Sequence, residues 1–283
     1  MARGTGGRGG GQDQAAAGGR GDVPAHRQYL PPLRPRLGVS EPRFRVTVGA
    51  ADVAGVLHLP DRLDWGPGPW PCVVACHGMG ASKDSDKYLL LGRDLPAAGL
   101  ALARFDFRGG GESGGRHEDA TIATRAADLE GVLDHLAKRP ELDGRFGLLG
   151  SSLGGFVALW VAAARAGGAP LPVVTWNAPA SLRELPRADP EQAGRALVAE
   201  VLRGERAEAP AGVPRVLVIQ ADRDEVVPPA HGRRLFERAT EPRALHMIAG
   251  ADHRLTDPDH RREALDRSRR WLHHHLASQR TSP

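Results

Sequence analysis

The chain has 283 residues, of which 41% are hydrophobic and 25% are charged, and its formal net charge is +4. This composition suits a globular protein with a sizeable core, and the interleaving of arginines with acidic residues excludes a basic stripe for nucleic acid. No run of 18 apolar residues is present to span a membrane, and no apolar leader opens the chain, so we expect a cytoplasmic protein.

Residues 1–40 differ from the rest of the chain because they are rich in glycine, arginine and, towards their end, proline. With so few apolar side chains, the segment cannot offset its ordering entropy by burial, and we expect it to be disordered. Arg-Gly segments also occur in RNA-binding tails, but the scarcity of aromatic side chains for base stacking makes nucleic-acid binding the weaker interpretation. The folded domain is therefore predicted over residues 41–283.

Beyond the tail, short apolar segments with strand character alternate with segments of helical periodicity. Two alternating segments, 44–48 and 53–59, predict a hairpin. The further predicted strands are 72–76, 100–105, 145–149, 173–176, 215–220 and 243–248, and the predicted helices are 84–98, 121–138, a segment ending near 166, 229–239 and 258–277. This order predicts βαβ units around a parallel sheet, and hence one doubly wound α/β domain with helices on both faces. Cys72 and Cys76 share one predicted buried strand and are expected to stay reduced.

The polar, proline-containing segment 179–212 is predicted to form a short cap, with a helix over 191–202. Because the cap is short, we expect an open pocket and a substrate of small to medium size. The segment carries five arginines that would attract an anionic substrate, although a solvated cap surface is the better interpretation of them. These arginines are at positions 183, 187, 195, 203 and 206.

Residues 150–154 read Gly-Ser-Ser-Leu-Gly and match the G-x-S-x-G pattern of a nucleophile elbow. A predicted strand precedes them and a helical segment follows, which is the context in which such a turn exposes its central serine, Ser152, above a sheet. Residues 111–115 match the same pattern, but a polar loop follows them. Because the helix shapes the turn and directs its N-terminal N–H groups at an oxyanion, the context favours Ser152 over Ser113 as the nucleophile.

A serine nucleophile needs a base and a group that orients the base, and after an elbow these follow in the order acid, then histidine. The acid is predicted to be Asp224, in the loop after the seventh predicted strand, with Asp222 bracing the turn. The base is predicted to be His253, in the loop between the last strand and the last helix. His246 lies within that strand and His260 begins that helix, which makes both of them poorer candidates.

Two backbone N–H groups are predicted to hold the oxyanion: that of Leu153, directly after the nucleophile, and that of Met79, in the glycine-rich loop after strand 72–76. The residues predicted to border the substrate are His77, Gly78, Trp176 and Asn177. Structural alternatives are a loop brace for His77, a core position for Trp176 and a turn for Asn177.

These motifs together resemble the α/β-hydrolase superfamily over roughly residues 44–277. The resemblance is carried by residues 77–80 (His-Gly-Met-Gly), the elbow, the pair of Asp224 and His253, and residues 105–113. The last segment is similar to the D-x-R-G-x-G-x-S loop of small single-domain esterases and serine-aminopeptidase-like hydrolases, although Gly110 stands where a histidine is common. The resemblance implies an eight-stranded, mostly parallel sheet and Ser-His-Asp catalysis, and it excludes chemistry that needs an aspartate at the elbow.

From these observations we expect a serine hydrolase that cleaves a small-molecule carboxylic ester through an acyl-enzyme, without a metal or a cofactor. Thioesterase, acyltransferase and peptidase activities would use the same triad and stay open as alternatives. A ligand-binding protein on a hydrolase fold is the alternative from a different class, since fold alone does not determine function. The sequence leaves the oligomeric state and the identity of the ester open.

Overall fold

The apolar segments from residue 43 onward form one eight-stranded sheet. The computed structural model describes Met1 and residues 42–165, 167–185 and 194–277. The predicted disordered tail, apart from Met1, and residues 186–193 of the predicted cap therefore lie outside the described residues. The strands are β1 (Arg43–Val48), β2 (Ala51–His58), β3 (Trp70–Cys76), β4 (Ala101–Phe105), β5 (Leu142–Ser151), β6 (Val173–Trp176), β7 (Val216–Ala221) and β8 (Arg243–Ile248).

The order of the strands across the sheet is β1-β2-β4-β3-β5-β6-β7-β8. β2 pairs antiparallel with β1 and β4, and the remaining pairs are parallel. This arrangement confirms the predicted mostly parallel sheet of eight strands. Because parallel strands align their carboxyl ends, the loops that follow β3, β5, β7 and β8 meet at the same edge of the sheet.

Helices cover both faces of the sheet, as predicted. The α-helices of the described residues are α1 (Arg62–Trp65), α2 (Asp86–Asp94), α3 (Ile122–Leu136), α4 (Leu153–Ala164), α5 (Arg195–Leu202), α6 (Pro229–Arg238) and α7 (Pro258–Ala277). Residues of α3, α4 and α6 join one buried apolar cluster, and residues of α2 and α7 join the other. The sheet separates the two clusters, because successive side chains of a strand point to opposite faces. Leu148 and Leu149 of β5 show this, since each belongs to a different cluster.

Several element boundaries differ from the sequence-based expectation for identifiable reasons. The predicted helix over 84–98 ends at Asp94, and a separate 3₁₀-helix covers Pro96–Ala98. Pro96 lacks the N–H that would continue the α-helical ladder, so the chain tightens there. The predicted loop before β3 contains the one-turn helix α1, whose first turn is capped by the side chain of Asp61.

The two cysteines are free and fully buried in β3. Their burial raises the pKa of both thiols, because the charged thiolate is poorly solvated in the core. They are therefore packing residues with little thiolate at neutral pH. Separately, none of the helices in the described part of the chain combines the length and the hydropathy that crossing a bilayer requires.

Candidate active site

Ser152 lies on a strained turn between β5 and α4. Its φ of 53° and ψ of −126° lie outside the regions that side chains ordinarily allow. Close backbone contacts enforce this turn: a Cβ at Gly150 would lie 2.4 Å from the carbonyl oxygen of Gly154, and a Cβ at Gly154 would lie 2.2 Å from that of Cys76. Both glycines of the pentapeptide are therefore needed where the elbow passes against itself and against β3.

His253 stands between Asp224 and Ser152. Its Nδ1 lies 2.8 Å from Oδ2 of Asp224, and its Nε2 lies 3.2 Å from Oγ of Ser152. The Asp224 side chain is fully buried, and its Oδ1 also accepts hydrogen bonds from the N–H groups of Val226 and Val227. Because a carboxylate only accepts, Nδ1 of His253 carries the proton and Nε2 is free to accept one from Ser152. Three loops at one edge of the sheet thus bring a serine hydroxyl, an imidazole and a buried carboxylate together in hydrogen-bonding order.

The two predicted oxyanion donors lie next to Ser152. Leu153 begins α4 directly after it, and the loop that carries Met79 passes so close that a Cβ at Gly78 would lie 3.1 Å from Cβ of Ser152. Within the described residues, neither the N–H of Met79 nor that of Leu153 has a hydrogen-bond partner. Both groups are therefore available to a ligand atom.

His77 braces the loop that carries Met79. Its Nε2 accepts a hydrogen bond of 3.0 Å from the N–H of Phe107, so its Nδ1 carries the proton and donates to the carbonyl of Gly78 at 2.8 Å. Burial lowers the pKa of His77 to about 4, which leaves the ring neutral at physiological pH. The ring borders the cleft beside the elbow, but both of its nitrogens are occupied by the backbone.

Asn177 was predicted to border the substrate, and the structure shows it holding the histidine loop instead. Its Nδ2 donates to the carbonyl of His253 and its Oδ1 accepts from the N–H of Ala221, both at 2.8 Å. Its φ is 53°, in the left-handed region that asparagine tolerates better than most residues. A second link comes from Asp222, which accepts a hydrogen bond of 2.6 Å from the N–H of Gly250 rather than bracing its own turn.

Trp176 does not border the substrate either. Only 1% of its surface is exposed, and its indole N–H donates to Oγ of Ser268 in α7 at 2.8 Å. The side chain of Trp176 lies in the apolar cluster on the α7 face, as does that of Val174 two residues earlier. Strand periodicity therefore places Trp176 in the core and corrects the prediction.

Ser113, the central serine of the second G-x-S-x-G segment, is bound by the backbone. Its Oγ donates to the carbonyl of Asp106 at 2.6 Å and accepts from the N–H of Ala54 at 2.8 Å. Both sides of the hydroxyl are thus engaged in joining β2 to the loop after β4. No histidine of the described residues contacts it, in contrast to Ser152.

Lys87 contacts the elbow from α2, which sequence patterns gave no reason to expect. Its Nζ donates a hydrogen bond of 2.7 Å to Oγ of Ser151, the residue before the nucleophile. Burial lowers the pKa of Lys87 to about 8, with the nearby cations Arg261 and Arg254 acting in the same direction. Lys87 precedes the elbow by 64 residues on a separate helix, and this spacing belongs to no sequence motif that would have identified it.

A cleft of about 380 Å³ adjoins the elbow. It is bordered by the loop after β3, the loop after β4 and the start of α3, and His77, Gly78, Arg108 and Arg125 are among its lining residues. The described arginines of the cap take no part in it: Arg203 pairs with Glu205, for example. Arg187 lies outside the described residues.

The strand order and the elbow together define the class of fold: the chain has the α/β-hydrolase fold. More particularly, residues 68–182 match the family model for serine aminopeptidase, S33. The chain is 29% identical over 207 residues to the Mycobacterium tuberculosis protein Rv2307c. The aligned residues cover 72% of this chain and 70% of that protein.

Two further comparisons are informative. The chain is 33% identical over 98 residues to the human protein named palmitoyl-protein thioesterase ABHD10, mitochondrial, covering 35% of this chain and 30% of that one. Among solved structures, Est1E from Butyrivibrio proteoclasticus with bound ferulic acid superposes with a TM-score of 0.68 at 19% identity, covering 83% of this chain and 99% of Est1E. The structural likeness concerns the fold alone.

Proposed function

We propose that the protein is a serine hydrolase that cleaves a carboxylic ester of a small to medium-sized substrate through an acyl-enzyme. The observation that carries this proposal is the position of His253, whose two ring nitrogens contact Asp224 and Ser152 at 2.8 Å and 3.2 Å. An arrangement of this kind lets a serine hydroxyl act as a nucleophile at neutral pH. The neighbouring free N–H groups of Met79 and Leu153 add an oxyanion site.

In the proposed reaction, Oγ of Ser152 attacks the ester carbonyl while Nε2 of His253 takes its proton. Asp224 holds the imidazole in the required tautomer and stabilises the imidazolium that forms. The N–H groups of Met79 and Leu153 stabilise the oxyanion, each by about 3–4 kcal/mol in the transition state. His253 then protonates the leaving alcohol, and a water molecule, activated by the same histidine, releases the acid from Ser152.

A thioesterase is the second candidate, and the similarity to the human protein named palmitoyl-protein thioesterase favours it. Acyl transfer and peptide cleavage would use the same acyl-enzyme with another acceptor or leaving group. These activities are separated by comparing an oxygen ester, a thioester and an amide of the same acyl group, and then by varying the acyl chain length. A ligand-binding protein on this fold would cleave none of the three.

The proposal is tested with p-nitrophenyl acetate and a fluorophosphonate probe, which labels activated serines. We expect the wild type to hydrolyse the ester and to be labelled, and Ser152→Ala to lose about 10⁴-fold or more in kcat and all labelling. Ser113→Ala is the matched control, because Ser113 is the central serine of the same pentapeptide pattern and is predicted to retain both properties. Hydrolysis or labelling that survives Ser152→Ala overturns the proposal.

A further inference from the structure

Arg125 is a buried cation that no carboxylate of the described residues contacts. It lies in the second turn of α3 and is only 3% exposed. Within the described residues, its guanidinium makes no hydrogen bond or ion pair, and its Nε is buried without an acceptor. Burying an unpaired charge is costly, so proteins seldom leave one in this state unless a ligand supplies the missing group.

One buried carboxylate of α3 and one that contacts its first residues are both engaged by other groups. Asp128, three residues further along α3, accepts hydrogen bonds from the N–H and the guanidinium of Arg108, both at 2.9 Å. Glu200 from α5 accepts the N–H groups of Ile122 and Ala123 at the start of α3. Arg108 is thus paired directly with Asp128, whereas Asp128 acts on Arg125 as a nearby charge, without a hydrogen bond or ion pair among the described residues. Burial lowers the pKa of Arg125 to about 10, so the side chain still carries its charge at neutral pH.

Arg125 lines the cleft that also includes Gly78, the neighbour of Ser152 in space. Its Cζ lies 5.5 Å from the centre of the Phe107 ring, a cation–π contact that orients the side chain. The Phe107 ring lies 5.1 Å from that of His77, which precedes Gly78 beside the nucleophile. Arg125, His77 and Gly78 all line a cleft of about 380 Å³, and a Cβ at Gly78 would lie 3.1 Å from Cβ of Ser152, so the cleft that holds the cation begins beside the serine.

The cleft has the charge of an anion site. Arg108 in its lining is paired with Asp128 and the His77 ring is neutral, so Arg125 supplies the positive charge, and no carboxylate is among the lining residues that the structure describes. A carboxylate is the group that a guanidinium binds best, through two parallel hydrogen bonds. We propose that Arg125 binds a carboxylate of the substrate, so that the ester cleaved at Ser152 is the monoester of a short dicarboxylic acid or an equally short ester with an acidic group. This inference rests on the proposed function.

The first test compares substrates of equal length with and without the charge. The acyl-side series pairs monoethyl glutarate and monoethyl adipate with ethyl pentanoate and ethyl hexanoate, and ethanol release is measured. A second series, with 4-acetoxybutanoate and butyl acetate, places the carboxylate on the alcohol side. We expect the wild type to prefer the anionic member of one series by about tenfold or more in kcat/KM. Equal rates in both series overturn the inference.

The second test assigns the preference to Arg125. In Arg125→Met, the ratio of kcat/KM for the anionic ester to that for the neutral ester should fall by about 10- to 100-fold. Arg125→Lys should keep part of the preference for the anionic ester, because lysine retains the positive charge but lacks the planar guanidinium that binds a carboxylate through two hydrogen bonds. Arg116→Met, at an exposed arginine paired with Glu118, is the control for net charge and should leave the ratio unchanged. A ratio that is the same in Arg125→Met and the wild type contradicts the role of Arg125.

A third measurement uses only the wild type, so it does not depend on whether a variant at Arg125 folds. Adipate should inhibit cleavage of ethyl hexanoate by the wild type competitively, at a concentration at least about tenfold lower than the neutral isostere adipamide. Equal inhibition by the two overturns the inference, while labelling of Ser152 and cleavage of neutral esters leave the proposed function intact. If neither labelling nor cleavage occurs, the proposed function itself fails, and this inference fails with it.

Discussion

The neutral ring of His77 makes the stability of the site depend on pH. Its pKa is about 4 in the folded protein, against about 6.5 for an exposed histidine. Between these values the unfolded chain binds a proton that the folded protein does not. The free energy of unfolding therefore falls as the pH falls from 6.5 to 4, by about 3 kcal/mol in total from this residue.

The contribution of His77 can be isolated with the variant His77→Asn, which does not titrate in this range. Between pH 7 and pH 4.5, the free energy of unfolding should fall by about 2 kcal/mol less in the variant than in the wild type. Urea denaturation at a series of pH values measures the free energy of unfolding of the wild type and of the variant. Parallel pH profiles would show that His77 is not buried as a neutral ring.

At single residues, sequence reasoning succeeded where a backbone pattern constrains the side chain. The elbow places Ser152 because its glycines permit close approach and a helix follows, and the same pentapeptide around Ser113 lacks that helix. Sequence reasoning missed residues whose role depends on tertiary contacts. Trp176 was placed at the substrate because it ends a strand, although strand periodicity directs it into the core. Arg125 gives no signal in the sequence, because its burial beside the cleft, without a carboxylate contact among the described residues, is a property of the folded chain.

The contact between α5 and the start of α3 joins these two helices at a buried carboxylate. Glu200 of α5 is 2% exposed and accepts the N–H groups of Ile122 and Ala123, which the helix itself leaves unpaired. A negative charge at this end also interacts favourably with the helix dipole. One side chain thus caps α3 and anchors a neighbouring helix.

Replacing this carboxylate by an amide should loosen the junction. Glu200→Gln retains one acceptor and loses the charge, so the free energy of unfolding should fall by about 1–2 kcal/mol at pH 7. Urea denaturation measures this, and amide exchange at Ile122 and Ala123 should accelerate. Glu205→Gln, at an exposed glutamate paired with Arg203, should cost less than about 0.5 kcal/mol. Similar losses of unfolding free energy in both variants would mean that the contact of Glu200 with the N-terminus of α3 does not stabilise the protein.

At the scale of elements, the apolar pattern predicted all eight strands of the sheet: central strands such as β3 are buried on both faces and read as continuous apolar segments, whereas the edge strand β1 alternates. The first and last residues of the helices were predicted less accurately than their presence. Pro96 interrupts a pattern that remains helical in hydrophobicity, and α1 is a single turn that depends on a cap at Asp61 rather than on an apolar stripe. Capping and proline effects act over two or three residues, and the hydrophobic periodicity of the sequence cannot detect changes over so short a segment.

Across the whole molecule, the sheet places the site where the strand order reverses. β3 lies between β4 and β5, so the connections after β3 and β5 leave toward opposite faces and open a crevice at the carboxyl edge. The elbow and the loop that carries Met79 follow these two strands. β7 and β8 add the loops with Asp224 and His253 from one side. The site therefore exists only while the sheet between β3 and β8 is intact.

Two adjacent leucines of β5 test whether the layers unfold as one unit. Leu148 and Leu149 are fully buried on opposite faces of the sheet, so replacing either by alanine should cost about 2–5 kcal/mol. Because one strand carries both and leads into the elbow, circular dichroism, tryptophan fluorescence and fluorophosphonate labelling of Ser152 should be lost at the same urea concentration in each variant. Leu63→Ala, at an exposed position, should change stability by less than about 0.5 kcal/mol. Loss of labelling well before loss of circular dichroism in only one of the two leucine variants would show that the faces unfold separately.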